Sequence, residues 1–165
     1  MKKVYSVLAM ALVLFVFAPM HKGLAAERSN NQTRLLFPFV TNQSGFDTGI
    51  AVANTTADPF GTTNVAGTCT FHYYGEVPGW SYIPPQTTAV IPAGGMITFS
   101  IGSGGVPYTD GDLAGFQGYV IAECEFPLAH GFYLITYLGN NCSSQGHAVV
   151  LPAKRTTKNV EERGQ

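Results

Sequence analysis

The segment Gln117-Gly118-Tyr119-Val120-Ile121-Ala122-Glu123-Cys124-Glu125-Phe126 decides the fold. In an extended strand Val120, Ala122, Cys124 and Phe126 fall on one face, and Tyr119, Ile121, Glu123 and Glu125 on the other. A slip of one residue would bury both glutamates, so the register is strongly specified. A second segment, Thr68-Cys69-Thr70-Phe71-His72-Tyr73-Tyr74, alternates in the same way, with Cys69, Phe71 and Tyr73 on its apolar face. Further β-branched and aromatic runs occur at Arg34–Thr41, Thr48–Asn54, Thr87–Ile91, Met96–Ile101, Phe132–Leu138 and His147–Leu151, and the two cysteine strands extend over Gly67–Tyr74 and Gln117–Phe126. Turn residues separate them at Gln43-Ser44-Gly45, Ala57–Gly61, Pro92–Gly95 and Gly139–Asn141. About eight short strands without a helix-period segment predict an all-β chain folded as a single β-sandwich, with a small barrel as second choice. Pro38 donates nothing to a ladder and places the first strand at a sheet edge. Glu76–Pro85, which holds Trp80 and Tyr82, and Gly102–Ala114, which holds Asp110 and Asp112, read as long irregular loops.

Outside these strands the chain changes character. Met1-Lys2-Lys3, the apolar run Val4–Met20 and the small residues Gly23, Ala25 and Ala26 have the order of a bacterial secretory signal peptide, residues 1–26. An uncleaved anchor is the alternative for a run of that length. A polar leader follows at 27–33, then the sandwich domain at 34–152 and a polar tail at 153–165, expected to be disordered. The sequence therefore predicts a secreted protein, located outside the cell, on its surface or in the periplasm, with no membrane span in the mature chain.

The chain of 165 residues has a net charge of −1 that hides a partition. Between Leu35 and Ala153 there is no Lys or Arg, against seven carboxylates: Asp47, Asp58, Glu76, Asp110, Asp112, Glu123 and Glu125. A domain without side-chain cations has nothing to neutralise phosphates, so nucleic acid is excluded as its partner. The cations outside that span, once residues 1–26 are removed, are Arg28 and Arg34 before it and the tail after it, with Lys154, Arg155, Lys158 and Arg163.

Three cysteines enter an oxidising compartment. Cys69 and Cys124 sit on the apolar faces of their strands and are expected to pair across the core, closing a loop worth about 4 kcal/mol in the chain-entropy model. Cys142 is left over, in a loop between Asn141 and Ser143, as an incidental thiol or an intermolecular bridge.

The stretches Leu35-Leu36-Phe37-Pro38-Phe39-Val40-Thr41-Asn42-Gln43, Gly45-Phe46-Asp47-Thr48-Gly49-Ile50-Ala51-Val52-Ala53-Asn54-Thr55, Gly67-Thr68-Cys69 and Gly115–Phe126 with Ala129-His130-Gly131-Phe132 carry a resemblance. They look like a group of uncharacterised secreted bacterial all-β proteins. The resemblance covers most of Leu35–Pro152 and implies export and an all-β domain with a paired cysteine. It transfers no catalytic residue. The order Cys69, Trp80, Cys124 is also loosely immunoglobulin-like, although Trp80 lies in a loop and Ala122 stands where a tyrosine corner would place Tyr.

The candidate chemistry is sparse. Asp47-Thr48-Gly49 is the aspartic-protease tripeptide, but it follows a turn rather than a hydrophobic strand, and an Asp satisfying turn amides is the better reading. His72, His130 and His147 have no closely spaced pair, and His72 would join Glu123 or Glu125 only across strands. Asp110-Gly111-Asp112 offers carboxylates for Ca²⁺ without the ligand ladder of an EF-hand. Asn31, Asn42, Asn54 and Asn141 each open an Asn-x-Ser/Thr sequon.

These features predict a non-enzymatic secreted or cell-surface sandwich with a structural or adhesive role. One route is addition of the Arg34–Thr41 strand to the sheet of another copy or of another surface protein. The alternative is a carbohydrate- or small-ligand-binding module, with Trp80 and Tyr82 as stacking rings and Asp110 and Asp112 as polar contacts.

Overall fold

The alternation of the two cysteine strands is realised in the computed structural model, which describes residues 32–107, 109, 113–138 and 142–152. Nine strands follow in chain order: β1 Thr33–Thr41, β2 Phe46–Asn54, β3 Cys69–Glu76, β4 Gln86–Thr87, β5 Met96–Ser100, β6 Gln117–Cys124, β7 Ala129–Tyr137, β8 Cys142–His147 and β9 Val149–Leu151. Sheet A has the order β4-β3-β6-β1-β9 and sheet B the order β5-β2-β7-β8. Every pairing is antiparallel. The chain is thus an all-β sandwich. Phe37 and Phe71 from sheet A meet Tyr133 and Phe99 from sheet B edge to face, with ring centroids at 6.2 and 4.9 Å. Leu35, Val40, Ile50, Val52, Val120 and Ala122 fill the space around them.

Four sequence expectations are corrected. β1 is an edge strand only in its second half: Arg34–Leu36 lie between β6 and β9, whereas Phe37, Val40 and Thr41 pair with β6 alone, so Pro38 stands on the open side. Pro38 is accommodated by a register shift between Phe37 and Val40, where the pairing to β6 skips two residues, so its missing N–H costs no ladder bond. Because β1 completes its own sheet and buries Leu35, Phe37 and Val40, lending Arg34–Thr41 to a neighbour would open the core. The stretch His147–Leu151 is not one strand of one sheet. The chain leaves sheet B after His147, Ala148 N–H bonds Gly131 C=O, and Val149–Leu151 joins β1 in sheet A, closing that side of the sandwich. Cys142 opens β8 opposite Tyr137 rather than standing in a loop. Of Thr87–Ile91 only Thr87 belongs to a strand, and Ile91 makes a single bridge to Gly67.

The expected Cys69–Cys124 disulfide forms, but not between the sheets. The two residues are directly opposite each other on neighbouring strands β3 and β6, with Cα atoms 4.0 Å apart. Immunoglobulin domains place their bridge between sheets against a buried Trp. Here it lies within sheet A and Trp80 is exposed, so the likeness to immunoglobulins ends at sandwich architecture. The signal segment 1–26, most of the leader and the tail from 153 lie outside the described residues.

Candidate functional site

Trp80 stands on a built turn. Its N–H donates to Val77 C=O at 3.1 Å, Pro78 follows Val77, and Gly79 takes φ +84°. Proline at the second position and a positive-φ glycine at the third make a type II turn, which any residue with a Cβ would strain at position 79. Buried Val77 anchors the turn from below. Pro78 packs on Gly115, where a Cβ would come within 2.9 Å of the proline ring. Trp80 is 43% exposed and Tyr82 69%.

Hydrogen bonds stitch the neighbouring loops to that turn. The Gln43 amide donates to Gly115 C=O at 2.7 Å, Gly115 N–H donates to Asn42 Oδ1, and Asn42 N–H donates to Phe116 C=O. One turn further, Leu138 N–H bonds Gly45 C=O, and the Phe46 and Tyr137 rings lie 5.0 Å apart. The same end of the sandwich therefore displays Trp80, Tyr82, Phe46 and Leu138, the last 72% exposed. Asp47 belongs to this stitching. Its Oδ1 accepts from Thr48 N–H, from Gly102 N–H at 2.7 Å and from the Asn42 amide. The Thr48 hydroxyl, fully buried, donates to Thr41 C=O and accepts from Thr41 N–H. The Asp-Thr-Gly tripeptide is thereby a loop fastener, as the turn reading expects.

The approach to the second loop is held by a buried glutamine. Gln86 Oε1 accepts from the Tyr73 hydroxyl at 2.7 Å and from Val106 N–H at 2.8 Å, and its amide donates to Gly104 C=O. Burial pushes the Tyr73 phenol well above its ordinary value, so it stays protonated and donates. Asp110 and Asp112, with the Ca²⁺ expectation attached to them, lie outside the described residues. Among the described residues no group of three or more His, Cys, Asp or Glu is placed to hold a metal ion.

The histidines are divided between the sheets. His72 on β3 faces Glu123 on β6 across the outer side of sheet A, Nε2 to Oε2 at 3.6 Å. That is longer than a hydrogen bond, and Nε2 itself is shielded from solvent although the ring is partly exposed. Such a pair contributes about 0–1 kcal/mol when the imidazole is charged. His130 and His147 are on β7 and β8 of sheet B, His147 against the Phe132 ring. On the outer side of sheet A, Tyr74 and Tyr119 stack at 5.0 Å and 11°. Sequence reading missed this pair, although both residues are five positions from a bridged cysteine on the outward side of its strand. Asn54, one of the sequons, is 1% exposed. Its amide donates to Val65 and Ile91 carbonyls and its oxygen accepts from Thr56, so it is a structural asparagine.

Fold and surface together define a disulfide-braced β-sandwich with a ring-bearing loop end. Among the described residues no helix is long and apolar enough to cross a membrane, and the disulfide is compatible with an oxidising, extracellular location. No protein family, no curated protein and no solved structure matches the chain.

Proposed function

We propose that this protein is exported and serves as a non-enzymatic structural or adhesive module, working by surface contact at the loop end that carries Trp80, Tyr82, Phe46 and Leu138. The observation that supports the reading is the exposure of these side chains on loops fixed by Gln43, Asn42 and Asp47. A large ring already ordered before contact loses little conformational entropy on binding, which favours adhesion. The hydrophobic Val4–Met20 run supports export. The test is retention of the purified chain from Glu27 onward on whole cells of the producing bacterium and on its isolated surface polymers. Trp80→Ala with Tyr82→Ala should reduce retention by about tenfold or more, since exposed aromatic anchors dominate interfaces. Equal retention of the variant would remove the reading.

A second reading, a carbohydrate-binding module, is favoured by the type II turn that offers Trp80 and Tyr82 two residues apart. Flat apolar ring faces stack on the C–H faces of sugars, and a few polar groups fix orientation. A glycan array probed with the wild-type chain and with Trp80→Ala separates the two: spots lost in the variant support sugar binding, and a blank array leaves protein surfaces as the contact.

A further inference from the structure

Tyr74 on β3 and Tyr119 on β6 stand ring to ring on the outer face of sheet A. They are direct partners in a register that runs unbroken from Cys69 and Cys124 to Glu76 and Gln117. Beyond the cysteines, Glu125 N–H donates to Thr68 C=O. Bonded and non-bonded pairs alternate along an antiparallel ladder, so Tyr74 and Tyr119, an even number of positions further on, exchange both backbone hydrogen bonds. The side chains are 44% and 42% exposed. Their rings lie 5.0 Å apart and within 11° of parallel.

The strands cannot slide at this point. The Cys69–Cys124 bridge fixes the register on one side of the pair. On the other side Gly75 faces Gly118, and a Cβ on either would run into the opposite backbone. A slip of one residue would also turn a ring toward the core. The contact is therefore set by the backbone, and only rotation about side-chain bonds moves the rings. The other described tyrosines have different neighbours. Tyr73 is buried with its hydroxyl on Gln86 Oε1. Tyr133 packs on Phe37 and Tyr137 on Phe46. Tyr82 is exposed on the Trp80 loop.

We propose that Tyr74 and Tyr119 are a modification site, at which a peroxidase with hydrogen peroxide joins the two rings into an intrachain dityrosine and ties β3 to β6 a second time. Each phenol gives up one electron and one proton. The two radicals couple through the ring carbon ortho to each oxygen. The hydrogen on each of those carbons then moves to the oxygen, which restores both phenols. Two hydrogen atoms leave in total, and hydrogen peroxide takes them up as it is reduced to two water molecules. A phenyl ring has no phenol hydrogen to lose, so Tyr133 beside Phe37 and Tyr137 beside Phe46 are without a coupling partner in contact. Radicals held ring to ring meet without diffusion, so coupling within the chain outruns coupling between chains. Repulsion between copies acts the same way, since the seven carboxylates between Leu35 and Ala153 have no Lys or Arg among them.

The inference does not depend on the adhesive reading, and its test is separate. The chain from Glu27 onward, folded and with its disulfide intact, is treated with a haem peroxidase and hydrogen peroxide, and the monomer is isolated by size. That monomer should show the blue fluorescence of dityrosine. After reduction and alkylation, proteolytic fragments holding Tyr74 and Tyr119 should stay joined, with a combined mass lower by two hydrogen atoms. Tyr74→Phe and Tyr119→Phe keep both rings and should each lower monomer fluorescence by about tenfold or more, because one radical of the pair is gone. Tyr82→Phe should leave the joined fragments unchanged. Monomer fluorescence that survives both single substitutions, dityrosine found only between chains, or a treated monomer whose Tyr74 and Tyr119 fragments separate overturns the proposal. If one Phe variant fails to fold, the other and the joined fragments decide. Loss of surface retention on replacing Trp80 speaks only to adhesion.

Discussion

The two sheets of this sandwich are built for different duties. Sheet A is cross-linked by Cys69–Cys124 between neighbouring strands and bounded by strands of two and three residues. Among the described residues sheet B has no cross-link, and it ends in β5 and β8, five and six residues long. Two of their glycines differ in how closely a neighbouring strand approaches. In sheet A, Gly75 faces Gly118, and a Cβ on Gly118 would lie 2.1 Å from Tyr74 C=O. In sheet B, a Cβ on Gly49 would meet only Leu134 C=O, at 3.9 Å. The difference teaches that the covalent cross-link and the closest backbone approach both belong to the β3–β6 pair of sheet A, while β2 of sheet B has room beside Gly49.

The largest expected break of that contrast is removal of the bridge. Cys69→Ala with Cys124→Ala frees a loop of sequence separation 55, which the chain-entropy relation values at about 4 kcal/mol. Urea denaturation should show that loss, and a shift below about 1 kcal/mol would mean that packing alone holds sheet A. Next come the glycines. Gly118→Ala should cost about 1–3 kcal/mol, because backbone on the neighbouring strand cannot yield. Gly49→Ala should stay within about 0.5 kcal/mol of the wild type or gain slightly, having room for a methyl group. Equal costs at both positions would erase the distinction between these two strand pairs. Smaller is Tyr73→Phe, which withdraws one of two donors from Gln86 Oε1. About 1 kcal/mol should be lost, with faster amide exchange at Val106.

The smallest effect lies in the connection from sheet B to sheet A. The Thr62 hydroxyl and Phe60 N–H hold the Asp58 carboxyl below its ordinary value of 3.8. A depressed carboxyl adds stability that is present above the ordinary value and lost as pH falls through the lowered one. Carboxyl carbon NMR should find Asp58 titrating below 3.8, and Thr62→Val should move it back up. A titration unmoved by Thr62→Val would mean that the turn does not set the carboxyl's charge.

Much of this molecule was legible from alternation. Cys69, Phe71, Tyr73, Val120, Ala122 and Cys124 point inward as their period of two requires, and the bridged pair is the expected one. The loops around Trp80 and Gly102 were also legible from their prolines and glycines. Three features were not. Pro38 marks an edge or a bulge, and the pairing of β1 shows both, a register shift against β6 in the half of the strand that β9 does not reach. The run around Ala148 reads as one strand because sheet membership leaves no trace in side-chain alternation. Phe46 and Leu138, remote in sequence from Trp80, join its end of the sandwich only through the backbone bonds of Gly45 and Gly115.

The sequence by itself determined the class of fold, the inward faces of the cysteine strands and the absence of Lys and Arg from Leu35 to Ala153, because each follows from local periodicity or from counting. Tertiary structure decided which strands are neighbours. That choice turned an expected bridge across the core into a pin within sheet A, put Tyr74 against Tyr119, set the first half of β1 between two partners and made β5 and β8 the edges of sheet B. The physical reason is that pairing is a long-range choice among strands of similar pattern. It is settled by how the phenylalanine rings, glycine contacts and loop hydrogen bonds fit together at once.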